Sequence, residues 1–315
     1  MRVRYSDPGL DCTPGSTADT AIKNNAWVNK TWLTGIFVAM LSHQANAGHL
    51  EHVTVSGEPL TPFVDDSGLA PLAETNTALL LKRVAGANVN FNGTLAGIPQ
   101  YRGMFGLRVN TDVDGMNIGN ACSNHMDSPL HYVPRTFVDH LEVIRGIAPV
   151  SSGLETIGGT IVARSRDNEF AKDDEGMFSG RVAAGAQSVD SGYSVSGDLR
   201  LANTRHSLRA AASREDGDDR DFAGGTIRPT RYERNAFDLG YAARIADDVF
   251  SIDYRRNDTT DAGTPALPMD DIFSDANLVR AAYEGTRGAR SFNANLYWND
   301  IAVSYTHLTL PTKIV

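Results

Sequence analysis

From Gly176 onward the chain alternates between apolar and polar positions with a period of two. Tyr193, Val195, Gly197, Leu199 and Leu201 fall on one side, and Ser194, Ser196, Asp198 and Arg200 on the other. Phe237, Leu239, Tyr241, Ala243 and Ile245 repeat the pattern, as do Phe250, Ile252 and Tyr254, and then Phe292, Ala294, Leu296 and Trp298. A period of two is the signature of strands with one wet face. The segment predicts about seven antiparallel strands of roughly ten residues, long enough to cross a bilayer at a tilt. Ala246-Asp-Asp248 reads as a short turn and Arg214 to Pro229 as a long polar loop. Tight turns at one end and long loops at the other fit a transmembrane barrel. A soluble sandwich also alternates; strand length and aromatics near the ends of the apolar faces favour the barrel.

Residues 48–165 are patterned differently. Leu79-Leu-Leu-Lys-Arg-Val84 reads as a short helix ending before Gly86. Val89-Asn-Phe91 and Gly103-Met-Phe-Gly-Leu-Arg-Val109 read as strands with glycine kinks, Val138 to Arg145 alternates, and Gly158-Gly-Thr-Ile-Val162 is a closing strand. This predicts a small mixed α/β domain, with 166–175 as a charged linker to the strands.

Ahead of it, Lys23 and Lys30 precede the ten-residue apolar run Trp32–Leu41, and Ala45-Asn-Ala47 supplies small residues for cleavage near Gly48. That order predicts a signal peptide over 28–47. The run is too short to span a bilayer; the competing reading is a buried cytosolic helix. Residues 1–27 are polar and patternless, as expected of a start codon assigned too far upstream.

Composition narrows the function. The net charge of −9 gives no support for nucleic-acid binding. No Ser/His/Asp grouping has a framework for catalysis, so an enzyme is not expected. Gly158-Gly159 does not precede a helix and makes no phosphate loop. Glu215 to Asp221 is an acidic run read as a solvated loop.

Only two cysteines occur, and Cys12 lies upstream of the expected cleavage point. Cys122 would then be a lone thiol in an oxidising compartment. In Cys122-Ser-Asn-His-Met126 a thiolate and a thioether stand four residues apart with His125 beside the thioether. These are soft ligands suited to copper. The alternative is a buried structural cysteine, against which the polar neighbours Ser123, Asn124 and His125 argue.

Tyr101-Arg-Gly-Met-Phe-Gly-Leu-Arg-Val109, Leu141-Glu-Val-Ile-Arg-Gly146 and Ser151-Ser-Gly-Leu-Glu-Thr-Ile-Gly-Gly-Thr160 resemble the plug domain of TonB-dependent outer-membrane receptors. The resemblance implies a plug over 63–165, a partial barrel over 176–302 and a bacterial outer-membrane location in contact with lipid. It also implies a TonB-box region over 48–62, in which Val53, Thr54, Val55 and Ser56 meet the energy-transducing partner by strand addition. The Cys-x-x-x-Met spacing is similar to the copper receptors of that superfamily. There, the resemblance implies, Cys122 and Met126 bind copper together with a His-x-Met pair from the barrel, with His125 as a further candidate. No His-x-Met occurs in this chain. Residues 303–315 resemble translated sequencing-adapter read-through, which predicts a fragment ending near Ala302. A plugged barrel of this kind needs about 22 strands to close, so seven would stay open and neither insert nor transport. Two alternatives remain: a receptor for another cargo, such as an iron–siderophore chelate, with Cys122 structural, and a periplasmic metal-binding module without transport.

Overall fold

The computed structural model describes residues 2–5, 63–65, 75–122, 125–146, 156–173, 176–288 and 290–306. The expected signal peptide, the segment Val53–Ser56 and the tail beyond 306 lie outside the described residues. The chain divides into two units, Met1–Pro8 with Pro59–Val315, and Gly9–Glu58. The sheets belong to the first unit.

Its N-terminal part holds two small sheets. One is five-stranded, in the order Phe63–Asp65, Val138–Ile144, Thr160–Ser165, Asn110–Val113 and Met116–Asn117. Thr160–Ser165 is central, antiparallel to Val138–Ile144 and parallel to Asn110–Val113. Covered on both edges and both faces, it buries Thr160, Ile161, Val162 and Ala163 in succession. In Val138–Ile144 a register shift between Val138 and His140 lets Val138, Leu141 and Val143 all face inward despite the odd spacing of the first pair. The other sheet is Ala87–Phe91, Gly97–Tyr101 and Met104–Phe105.

Two expectations change here. The helix over 79–84 is present, but as the 3-10 helix Thr77–Arg83, begun by the Asn76 side chain accepting the Ala78 N–H at 3.0 Å. All helical pieces among the described residues are 3-10. The strand expected over 103–109 shrinks to Met104–Phe105 followed by the 3-10 turn Gly106–Arg108. Arg102, Gly103 and Gly106 take φ of 49°, 75° and 61°, and a strand cannot run through left-handed residues.

The second part is a sheet of seven consecutive antiparallel strands: Met177–Ala186, Tyr193–Ala202, His206–Gly217, Tyr232–Ile245, Asp248–Ala262, Asp271–Arg287 and Arg290–Tyr305. They lengthen from 10 residues at the start to 17 and 16 at the end. The backbone of Arg2–Tyr5 pairs parallel along the outer edge of the last strand. The sheet does not close. The expected loop over 214–229 is in fact strand as far as Gly217 and then a hairpin, Arg220–Phe222 with Gly225–Ile227. Glu215, read as part of a solvated run, is therefore an inward strand position, 1% exposed. The last strand passes the expected boundary at 302 by three residues.

Strict pairing sets the two faces. Phe178, Leu201, Leu208, Tyr241, Ile252, Ala281 and Leu296 are successive cross-strand partners in one row, all on the exposed face. Leu199, Leu239 and Trp298 extend that apolar face. The opposite face carries Arg209, Glu215, Arg234, Asp238, Arg255, Asn257 and Thr259, all buried against the N-terminal domain. One apolar cluster joins the two parts: Leu80, Leu81, Leu130, Tyr132, Leu141, Val143 and Ile161 pack with Ala276, Leu278, Ile301 and Val303.

Candidate functional site

The residues singled out in the sequence lie on a turn of the N-terminal domain that faces the last strands of the sheet. The His125 N–H donates to the Cys122 carbonyl at 3.0 Å, closing a tight turn. Asp127 holds it from the other side: its carboxylate accepts the N–H groups of Ala121 and Cys122, the latter at 2.8 Å, and the Tyr132 hydroxyl at 2.8 Å. Burial pushes Asp127 up to about 6, even though these three donors pull it down.

Cys122 is a free thiol, 6% exposed, and Met126 is 1% exposed. The polar neighbours of Cys122 in sequence suggested wetter surroundings than it has, because the two N–H groups beside it are satisfied by Asp127 rather than by water. The thiol lies against Tyr305 of the last strand. His125 turns away. Its φ is 55°, its Nδ1 meets Asn120, and its ring packs beside Gly106 at a cleft of about 120 Å³ that also involves Asn120. Burial lowers its pKa. The fold thus brings Cys122 and Met126 into one buried turn and directs the His125 ring elsewhere. Among the described residues no group of three or more His, Cys, Asp or Glu stands ready to hold a metal.

The functional residues missed in the sequence are the ones that dock the two parts. Arg234, 1% exposed, donates Nε to Glu215 at 2.7 Å and its other nitrogens to the carbonyls of His131 at 3.0 Å and Thr75 at 2.8 Å. Arg255 spans Asp238 on its neighbouring strand, at 2.7 Å, and Asp114 of the N-terminal domain, at 3.1 Å, with Ser165 at 2.8 Å. Burial alone would raise Asp114, but Arg255 and Ser165 hold it below the usual carboxylate range. The ladder continues through Arg209, Asp253 and Arg280 along a cavity of about 770 Å³. That cavity does not include Cys122. Close approach matters too: a Cβ on Gly93 would meet the backbone of Gly263 on the sheet side. The signal for this docking was present as charges in the inward slots of alternating strands, the reverse of a soluble sheet.

Residues 64–160 match the family model described as "TonB-dependent Receptor Plug Domain". The N-terminal part is a receptor plug domain. Among solved structures, the plug and its sheet resemble one described as "Copper transporter OprC", with 25% identity, a TM-score of 0.66, and coverage of 76% of this chain and 37% of that one. The ferric enterobactin receptor PfeA from Pseudomonas aeruginosa aligns at 14% identity and TM-score 0.60, over 77% of this chain and 41% of its own. The siderophore receptor PirA from Acinetobacter baumannii aligns at 13% and 0.58, over 76% and 39%. At those identities the two siderophore receptors share the fold alone. The chain spans about two fifths of the length of the structures it matches. No curated protein sequence matches it. These relatives are described as a transporter and receptors rather than enzymes, and what they share with this chain is the fold of a plug followed by antiparallel strands.

Proposed function

We propose that this chain is the plug and the first strands of a TonB-dependent outer-membrane receptor for copper, with Cys122 and Met126 as the plug's share of the copper site. The observation that carries the reading is the buried, unpaired Cys122 on one Asp127-clamped turn with Met126, facing the sheet. Thiolate and thioether are soft donors that favour copper over hard cations. The likeness to a copper transporter at 25% identity supports the same cargo. In this reading the exposed apolar row from Phe178 to Leu296 meets outer-membrane lipid, since such a row has no place in water. TonB engages Val53–Ser56 by strand addition and pulls on the plug. His125, with its ring directed to Asn120, stands outside the ligand set.

Copper(I) or silver(I) titration of the refolded chain tests this. Cys122→Ser is expected to weaken binding by about 10- to 100-fold or more, and Met126→Leu by less. Unchanged stoichiometry and affinity in Cys122→Ser would sink the copper reading. The second reading, a ferric chelate as cargo with Cys122 structural, draws on the siderophore receptors of the same fold. Ferric-chelate binding that survives Cys122→Ser would favour it.

A further inference from the structure

At the end of the sheet opposite the tight turns, the plug meets the sheet through backbone rather than charge. Plug loop 92–96 joins the strands Ala87–Phe91 and Gly97–Tyr101, and its Asn92, Thr94, Leu95 and Ala96 are all buried. Two connections of the sheet, 218–231 and 263–270, close on it. Thr94 Oγ1 donates to the Thr230 carbonyl at 2.9 Å, and the Ala266 N–H donates to the Asn92 carbonyl at 3.3 Å. Leu95 packs in a small cluster with Tyr232 and Ala262. Between them the backbones stack directly. A Cβ on Gly93 would collide with the Gly263 carbonyl oxygen, and a Cβ on Gly263 would stand 2.5 Å from the Pro229 carbonyl. Three segments touch here with no side chain to cushion them.

The same loop reaches the Cys122 turn. The Ser128 hydroxyl donates to the carbonyl of Gly97, one residue past the loop, at 2.5 Å. Ser128 follows Asp127, whose carboxylate holds the N–H groups of Ala121 and Cys122. Asn76 braces the loop from behind, its Nδ2 donating to the Thr94 carbonyl at 3.1 Å. A run of buried contacts thus leads from Thr230 in the sheet through Thr94, Gly97, Ser128 and Asp127 to Cys122. A contact between bare backbones has little give, so the loop is either seated or lifted. Lifting it takes the acceptor from Ser128, and a buried hydroxyl left without a partner favours local opening of its own segment.

We propose that loop 92–96 is a latch between the sheet and the Cys122 turn. Moving connection 218–231 or 263–270 of the sheet unseats Gly93 and Thr94, withdraws the Gly97 carbonyl from Ser128 and loosens the turn that carries Cys122. The latch joins a rim of the sheet to a buried thiol by contact alone. It is independent of what, if anything, binds at Cys122, and stands whichever cargo is carried.

The test uses the full chain, refolded in detergent, on a Cys12→Ser background so that Cys122 is the single thiol. Maleimide labelling under native conditions reads opening of the Cys122 turn. Amide hydrogen exchange reads loop 92–96 and, as a control for global unfolding, the central plug strand Thr160–Ser165. Gly93→Ala is expected to speed loop exchange and Cys122 labelling together, each by about tenfold or more, with Thr160–Ser165 unchanged. Gly263→Ala should do the same from the sheet side. Ser128→Ala should speed labelling while loop 92–96 exchanges as in wild type. Should Gly93→Ala not fold, Thr94→Val, which removes the donor to Thr230 and keeps the shape, decides through the same pair of readouts. Faster loop exchange without faster labelling overturns the proposal. So does labelling that rises only where Thr160–Ser165 also exchanges faster, or loop exchange that stays at the wild-type rate in both Gly93→Ala and Thr94→Val.

Discussion

The plug and the sheet bury opposite things. The plug has an ordinary interior of Leu80, Leu81, Val113, Leu141, Val143 and Ile161. The sheet beside it hides Arg209, Glu215, Arg234, Asp238 and Arg255 and leaves Phe178, Leu199, Leu201, Leu239, Ile252 and Leu296 exposed. One part is built for water and the other is inside out. The plug therefore draws mainly on apolar burial, whereas the middle strands of the sheet draw their inner order from charge pairing, which collapses if one partner is removed, and only the last two strands add Ala276, Leu278, Ile301 and Val303 to the plug's apolar cluster.

The largest break in that comparison is expected at Arg234. Arg234→Met leaves Glu215 buried without its partner and two plug carbonyls unmatched. It should cost about 3–5 kcal/mol in denaturant unfolding and expose the plug to protease. A loss below about 1 kcal/mol would mean the guanidinium does not hold the plug. Next comes the plug interior. Leu141→Ala should cost about 2–5 kcal/mol, set by how far the cavity collapses, and should leave the sheet's ion pairs intact.

Acid separates two groups in the plug with opposite signs. The folded pKa of Asp127 is about 6 against an ordinary 3.8, so its contribution is complete below 3.8 and lost as pH rises through about 6. That of His131 is about 3 against 6.5, lowered by burial and then by Arg234, so its contribution is complete above 6.5 and lost as pH falls through about 3. Between pH 6 and 4 the two cancel, and in chelating buffer wild type should be nearly flat for them. Asp127→Asn should expose the His131 slope, losing up to about 1.4 kcal/mol per pH unit on acidification. His131→Asn should gain by a similar slope. Parallel pH profiles in all three proteins would refute the assignment. The smallest effect is expected outside: Leu199→Ala, on the exposed apolar face, should change detergent-state stability by less than about 0.5 kcal/mol. A loss matching that of Leu141→Ala would mean the face is covered by protein.

Much of the sheet was legible because alternation in Tyr193–Leu201, Phe237–Ile245 and Phe292–Trp298 fixes both strand and face. The plug was less so. Leu79–Val84 carries the same apolar run whether the helix is α or 3-10, and the left-handed Arg102 that breaks the strand after it has no sequence mark. The closeness of Cys122 and Met126 along the chain was visible; their burial was not, since it depends on Asp127 reaching back to Ala121 and Cys122. The docking arginines were hardest. Arg234 meets Thr75 and His131, more than a hundred residues away, and only the finished fold brings them together.

Strand length also shapes the rim of the sheet. Along the cross-strand row from Phe178 to Ala281, the sixth strand runs on six residues to Arg287 where the first runs one to Met177. Most of the growth from 10 to 17 residues therefore falls at the end that carries the tight turns Ala246-Asp247 and Gly288. At about 3.3 Å per residue the sixth strand overreaches the first there by about 17 Å. That rim climbs from Met177 to Arg287, and the exposed Thr286 on its high side is the place to attach a reporter without touching the plug.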